Sequence, residues 1–161
     1  MKIYKSLILM CILVLMLGGC VPPVELPDLV ITEIETTGSP FFREDDNVSV
    51  PVRVTVKNQG NADAGIFKVS LHYTGSQGTF GVAFQVEGQS QLWYPYTSAS
   101  LSPGSEVTFE GDALFIIRGE TVSLKALADS CSGDEFMPDY CRVNESNEMN
   151  NESEALTIVL P

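Results

Sequence analysis

The sequence predicts an all-β domain, an antiparallel β-sandwich. Residues 48–56 place valine at every second position, residues 67–73 repeat that alternation with Phe67, Val69, Leu71 and Tyr73, and no sustained helical period occurs between Gly, Ser, Asn and Pro punctuation. A period of two puts one face of each strand in a core and the other in water, and several such strands pack best as a sandwich.

The chain opens on a different pattern. Lys2 and Lys5 precede an unbroken apolar run, Leu7 to Leu17, which is followed by Gly18, Gly19 and Cys20. That run is shorter than the roughly 20 residues that span a bilayer, and the order of charge, apolar stretch and small residues is that of an export signal. It resembles a bacterial lipoprotein signal peptide, which implies removal of residues 1–19 and acylation of Cys20. An uncleaved N-terminal helix or a non-lipidated signal is the alternative. Residues 20–27 then form a lipidated cysteine and a stiff, proline-rich tether, and residues 28–161 form one domain. Several acyl chains, at about 0.8 kcal/mol per buried methylene, hold such a domain at a membrane. The expected location is the cell envelope, membrane-anchored and extracytoplasmic, on the outer membrane or cell surface.

Both basic residues of the signal would be lost, leaving seven basic against 21 acidic residues. A surface that acidic repels phosphate backbones and excludes nucleic acid as a partner. Cys131 and Cys141, with nine residues between them, predict a local disulfide in an oxidising compartment. A redox pair usually has CxxC spacing, and a zinc site would lack further ligands.

In chain order, Val48, Val50, Val52, Val54 and Val56 face one side of the first long strand, with Pro51 expected near its entrance because it lacks a backbone donor. Asn58-Gln59-Gly60-Asn61 turns the chain into the strand of Phe67 to Tyr73. Residues 79–86 and 91–97 are expected to pair as an added hairpin, with Val82, Phe84 and Val86 on one face, Leu92, Tyr94 and Tyr96 on the matching face, and Trp93 opposite. Further strands are expected around Val107 and Phe109, along Val122, Leu124, Ala126 and Ala128, and along Leu156, Ile158 and Leu160.

Four segments carry a family resemblance: Pro27-Asp28-Leu29-Val30-Ile31-Thr32, the stretch VRVTVKNQGNADAG from Val52 to Gly65, Leu101-Ser102-Pro103-Gly104, and Asn144-Glu145-Ser146-Asn147-Glu148-Met149-Asn150-Asn151. In this order the chain resembles CARDB, the cell-adhesion-related domain found in bacteria, over about residues 27–161. The resemblance implies an immunoglobulin-like sandwich of about seven strands and an extracellular adhesion or interaction role without catalysis. The chain departs from the family by some two dozen residues inserted after Thr74, and by the cysteine pair.

Three groups of residues are candidate sites. Trp93, Tyr94 and Tyr96 have the composition of a surface that binds protein or glycan, because aromatic rings with polar tips offer contact area at low entropic cost. Alternatively, Trp93 closes the edge of the core. Asp129, Asp134, Glu135, Asp139, Glu145 and Glu148 offer oxygens that calcium favours, but without the D-x-[DN]-x-[DN]-G spacing. The alternative is a solvated loop in which Asn147, Asn150 and Asn151 hydrogen-bond the backbone. His72, the single histidine, reads as a surface residue beside Lys68, Ser70 and Thr74, and no nucleophile elbow or metal-histidine motif accompanies it. Calcium aside, no cofactor is expected, and the chain is not expected to be an enzyme. Asn47, Asn144 and Asn151 begin N-x-S sequons, which matter only in a glycosylating host. The leading expectation is therefore a lipid-anchored adhesion or binding module. The alternative is an assembly component of an envelope complex that acts through strand-edge pairing.

Overall fold

A computed structural model of the chain describes residues 23–44, 46–89, 93, 95, 97, 99–131 and 141–161. These residues contain eight strands and no helix: β1 (Leu29–Thr36), β2 (Phe41–Phe42), β3 (Val48–Asn58), β4 (Val69–Gly75), β5 (Gly78–Val86), β6 (Glu106–Phe115), β7 (Thr121–Ala128) and β8 (Leu156–Val159). All pairings are antiparallel, in the order β1-β3-β6-β5-β4-β7-β8, and β2 pairs with the start of β3. Cys20 and the expected signal lie outside the described residues.

Alternation dictates the core. The five valines of β3 are fully buried, as are Phe67, Val69, Leu124, Ala126 and Ala128. Rings from the two halves meet across the interior: Phe67 lies edge-on to Phe109 at 6.4 Å between centroids, and Tyr73 meets Phe115 at 5.4 Å. Burying each such side chain stabilises by roughly 1.5–3 kcal/mol, so β4 and β6 are held against each other without a ladder between them.

The halves are joined by β5, which changes partner midway. Its residues up to Val82 pair with β4, and Ala83 to Val86 pair with β6. This corrects the expected hairpin. Residues 79–86 are strand, but their partner through the tight turn at Ser76 and Gln77 is β4. Most of 91–97 lies outside the described residues, and its described members, Trp93, Pro95 and Thr97, belong to no named strand. Pro95 and Thr97 instead border the entry to β4, where Val69 N–H donates to Pro95 O at 2.9 Å and Thr97 N–H donates to Phe67 O at 3.1 Å.

Pro51 also departs from expectation, since β3 begins three residues earlier at Val48. It is tolerated because it falls in a gap between neighbours: β1 ends opposite Val52, and β2 begins opposite Ser49. The missing N–H costs no ladder bond there, and the Pro51 carbonyl still accepts Thr37 N–H at 2.9 Å. At the open ends of the path, β1 and β8 are not paired, and a groove lined by Ile31, Ile34 and residues 153–156 separates them.

Candidate functional site

Trp93 is about half exposed, at 52 %. Its ring rests over Gly81 of β5, where an added Cβ would lie 3.6 Å from ring atom Cζ3. The indole walls a cavity of about 430 Å³ with Tyr73, Phe80, Leu114, Ile116 and Ile117, and Gln77 and Glu120 are the polar members of the wall. Phe80 stacks obliquely on Tyr73 at 5.7 Å. Phe80 and Ile116 are themselves exposed, Ile116 at 85 %. Glu120 is positioned by Ser76 N–H, which it accepts at 3.1 Å. Burial, followed by the Glu120 charge, pushes the Tyr73 phenol up. The β4–β5 hairpin, Trp93 and the stretch from Leu114 to Glu120 therefore build one apolar hollow with an aromatic lip. Tyr94 and Tyr96 lie outside the described residues. Phe80, Ile116 and Ile117 had no sequence signal beyond an exposed position in a strand and an apolar pair after one.

The acidic segment is a different kind of place. Cys131 and Cys141 are joined as a disulfide, with Cα atoms 4.7 Å apart. Asp134, Glu135 and Asp139 lie outside the described residues. Asp129 is buried in a left-handed conformation (φ 47°), and its Oδ2 accepts Val143 N–H at 2.8 Å and Arg142 N–H at 3.0 Å. Burial outweighs these donors and pushes its carboxyl up. Glu145 is also buried, accepting Leu29 N–H through Oε2 and Asn151 Nδ2 through Oε1 at 2.7 Å. Glu148 is exposed and accepts Glu145 N–H at 2.8 Å. Among the described residues, no three or more His, Cys, Asp or Glu side chains gather to hold a metal ion.

Glu145 thus serves as a clamp between the last loop and the first strand, 116 residues apart in sequence. The three asparagines differ from one another. Asn147 accepts the backbone N–H of Met149 at 3.2 Å, as expected, but Asn150 and Asn151 donate to carboxylates, Asp28 at 2.8 Å and Glu145.

Desolvation, the largest influence, raises the Glu145 carboxyl from 4.5 to about 7 against the pull of its two donors. The folded state therefore binds this proton more tightly than the unfolded chain. The associated stability is full below about pH 4.5 and is lost as pH rises through 7. At 1.36 kcal/mol per pH unit the whole shift corresponds to roughly 3 kcal/mol, of which about 2–3 kcal/mol falls between pH 5 and pH 8. Urea denaturation in calcium-free buffer at pH 5 and pH 8 should show the native chain more stable at pH 5, and Glu145→Gln should remove most of that difference. An equal pH response in both proteins would contradict the assignment.

His72 is half-buried, with Nε2 3.0 Å from Glu152 Oε1, and Lys125 Nζ lies 2.5 Å from Glu152 Oε2. Lys125, and then His72, hold the Glu152 carboxyl below its usual range. The cluster ties β4 and β7 to the segment before β8, a structural use of the single histidine.

Comparison with known proteins agrees with this architecture. The family model CARDB matches residues 26–155. Among solved structures, a CARDB domain from Pyrococcus furiosus, solved in complex with di-metal ions, is 20 % identical with a TM-score of 0.50 and covers 87 % of this chain and all of that one. The ApaA protein of Bordetella pertussis is 15 % identical with a TM-score of 0.42, covering 86 % of this chain and 98 % of its own. A Bacillus subtilis lipoprotein is 14 % identical with a TM-score of 0.39, covering 84 % of this chain and 37 % of its own. No curated protein matches the chain.

Proposed function

We infer that this chain, which belongs to the CARDB family of adhesion-type binding domains, is an envelope lipoprotein that binds another protein through the hollow beside Trp93. In this reading Cys20 carries the lipid, residues 21–27 lift the domain from the membrane, and the sheet is an immunoglobulin-like sandwich whose two layers are bridged by β5. The rigid layers fix the loops, and the loops meet the partner.

The observation that carries the reading is the chemistry of the hollow. Its wall is mainly apolar and aromatic, with one carboxylate that is already engaged by a backbone amide. A glycan needs hydrogen-bonding groups around the stacked ring, whereas an aliphatic or aromatic side chain needs only this apolar volume. An exposed Trp at the lip is the type of residue that dominates binding energy when a partner buries it. A photo-crosslinker at position 93 of the full chain in cells should capture one protein, and Ile116→Ser should abolish the adduct. In the purified pair, Trp93→Ala should weaken binding tenfold or more, consistent with a loss of about 2 kcal/mol, with little change in melting temperature. A glycan adduct would replace the ligand class.

Strand-edge pairing is favoured by one feature, the groove between the unpaired edge of β1 and residues 153–156. A partner strand laid there would take main-chain hydrogen bonds from β1. Crosslinking from Thr32 and none from position 93 would select this second reading.

A further inference from the structure

We propose that the end of β7 and the approach to β8 form a weak calcium site, in which Oδ1 of Asp129 and the side-chain carbonyl oxygens of Asn150 and Asn151 are ligands. Among the described residues, five buried side-chain oxygens lack a hydrogen-bond partner, and four of them fall in residues 129–130 and 150–151: Asp129 Oδ1, Ser130 Oγ, Asn150 Oδ1 and Asn151 Oδ1. Asp129 is 3 % exposed and Asn151 is 7 % exposed, so water does not supply the missing partners from the surface. A buried acceptor without a donor costs about 1–3 kcal/mol, and a group of them in one place calls for a bound partner, an ion or an ordered water.

The backbone brings the two pairs together. Leu127 bridges Glu152 in antiparallel register, and Ala128 N–H donates to Asn151 O at 2.9 Å. Asp129 and Asn150 are the next residues along the two segments, each adjacent in sequence to a member of this hydrogen-bonded pair. The orientation of each group is fixed by its other end. Asp129 spends Oδ2 on the amides of Arg142 and Val143, Asn150 spends Nδ2 on Asp28, and Asn151 spends Nδ2 on Glu145. What remains in all three is a carbonyl-type oxygen.

Hard oxygens with no His or Cys among them suit calcium. Magnesium demands a stricter octahedron and sheds its water reluctantly. With one carboxylate among the ligands, the affinity belongs to the range of extracellular calcium modules, roughly 10⁻⁴–10⁻³ M. The ion would fasten the end of β7 to the segment entering β8 and, through Asn151 and Glu145, to the start of β1. It would thereby brace the side of the sheet that no ladder closes.

The test is calcium titration of the full chain, by calorimetry and by thermal melting, with magnesium as the matched control. About 10 mM calcium should raise the melting temperature by several degrees and magnesium by much less. Asp129→Asn should weaken calcium at least tenfold, as should Asn150→Ala, which alters a partly exposed residue and whose own calcium-free melt measures the loss of its bond to Asp28. No calcium heat and no shift would overturn the site. So would an equal shift with magnesium, which would reflect only screening of the net charge of −12, or full affinity in both variants.

Discussion

Gly111→Ala is expected to destabilise the domain by on the order of 3–4 kcal/mol, a large cost for a single methyl. A Cβ at position 111 would stand 2.2 Å from Gln85 O and 2.8 Å from Val86 Cα, both backbone atoms of the paired strand. No rotamer relieves a clash with main chain, so β5 would have to lift from β6 where Gly111 faces Val86. Phe84 and Val86 would lose burial with it. The sign is informative, because glycine to alanine at an unobstructed site usually stabilises by about 0.4–1 kcal/mol through the unfolded chain. Gly81 supplies the control: a Cβ there meets only the Trp93 ring, at 3.6 Å. Urea denaturation should place Gly111→Ala far below the native chain and Gly81→Ala beside it. Equal stability of the two variants would mean that β5 does not cross β6 as described.

Asn58→Ala should cost on the order of 3–4 kcal/mol, because four backbone groups, one buried and three partly buried, lose their partner at about 1 kcal/mol each. Asn58 is fully buried. Its Nδ2 donates to Ala62 O at 2.7 Å and Leu101 O at 2.8 Å, and its Oδ1 accepts Gly60 N–H at 3.0 Å and Asp28 N–H at 3.2 Å. One side chain thereby fixes the ends of three loops. Asn58→Asp should be at least as damaging despite its shape, since a carboxylate cannot donate to two carbonyls and would bury an unpaired charge. The check is a melt of all three proteins, in which both variants should fall by roughly 10 °C or more. A melting temperature for Asn58→Asp close to that of the native chain would show that the two donated bonds are unimportant. Gly60 completes the turn for a steric reason, as an added Cβ would stand 2.5 Å from Leu26 O.

Trp93 could be flagged from its chemistry, yet the hollow beside it could not, because Phe80, Ile116 and Tyr73 converge only through pairing of β4, β5 and β6. Glu145 is legible in the sequence only as one of six candidate calcium ligands or as part of a solvated loop, for the same reason. Nothing near it in sequence announces that Leu29 will bring an unpaired amide to it. The acidic run therefore looked like one group of six, whereas the described members divide between a buried clamp, a buried turn residue and an exposed side chain.

What the sequence alone determined is the set of strands and their inward faces. Hydrophobic alternation is a local property, and β4, β7 and β8 follow it residue by residue because each apolar position has one favourable side on which to be buried; the five valines of β3 follow it too, although Ser49 and Thr55 on its other face are also buried. The asparagine-glycine turn after β3 and the disulfide are local too, and both stand where spacing placed them. Tertiary structure alone decided which strands are neighbours. Alternation states which way a side chain points but says nothing about the partner across the ladder, so the switch of β5 from β4 to β6, the gap that accommodates Pro51, and the meeting of Glu145 with Leu29 depend on contacts between residues far apart in the chain.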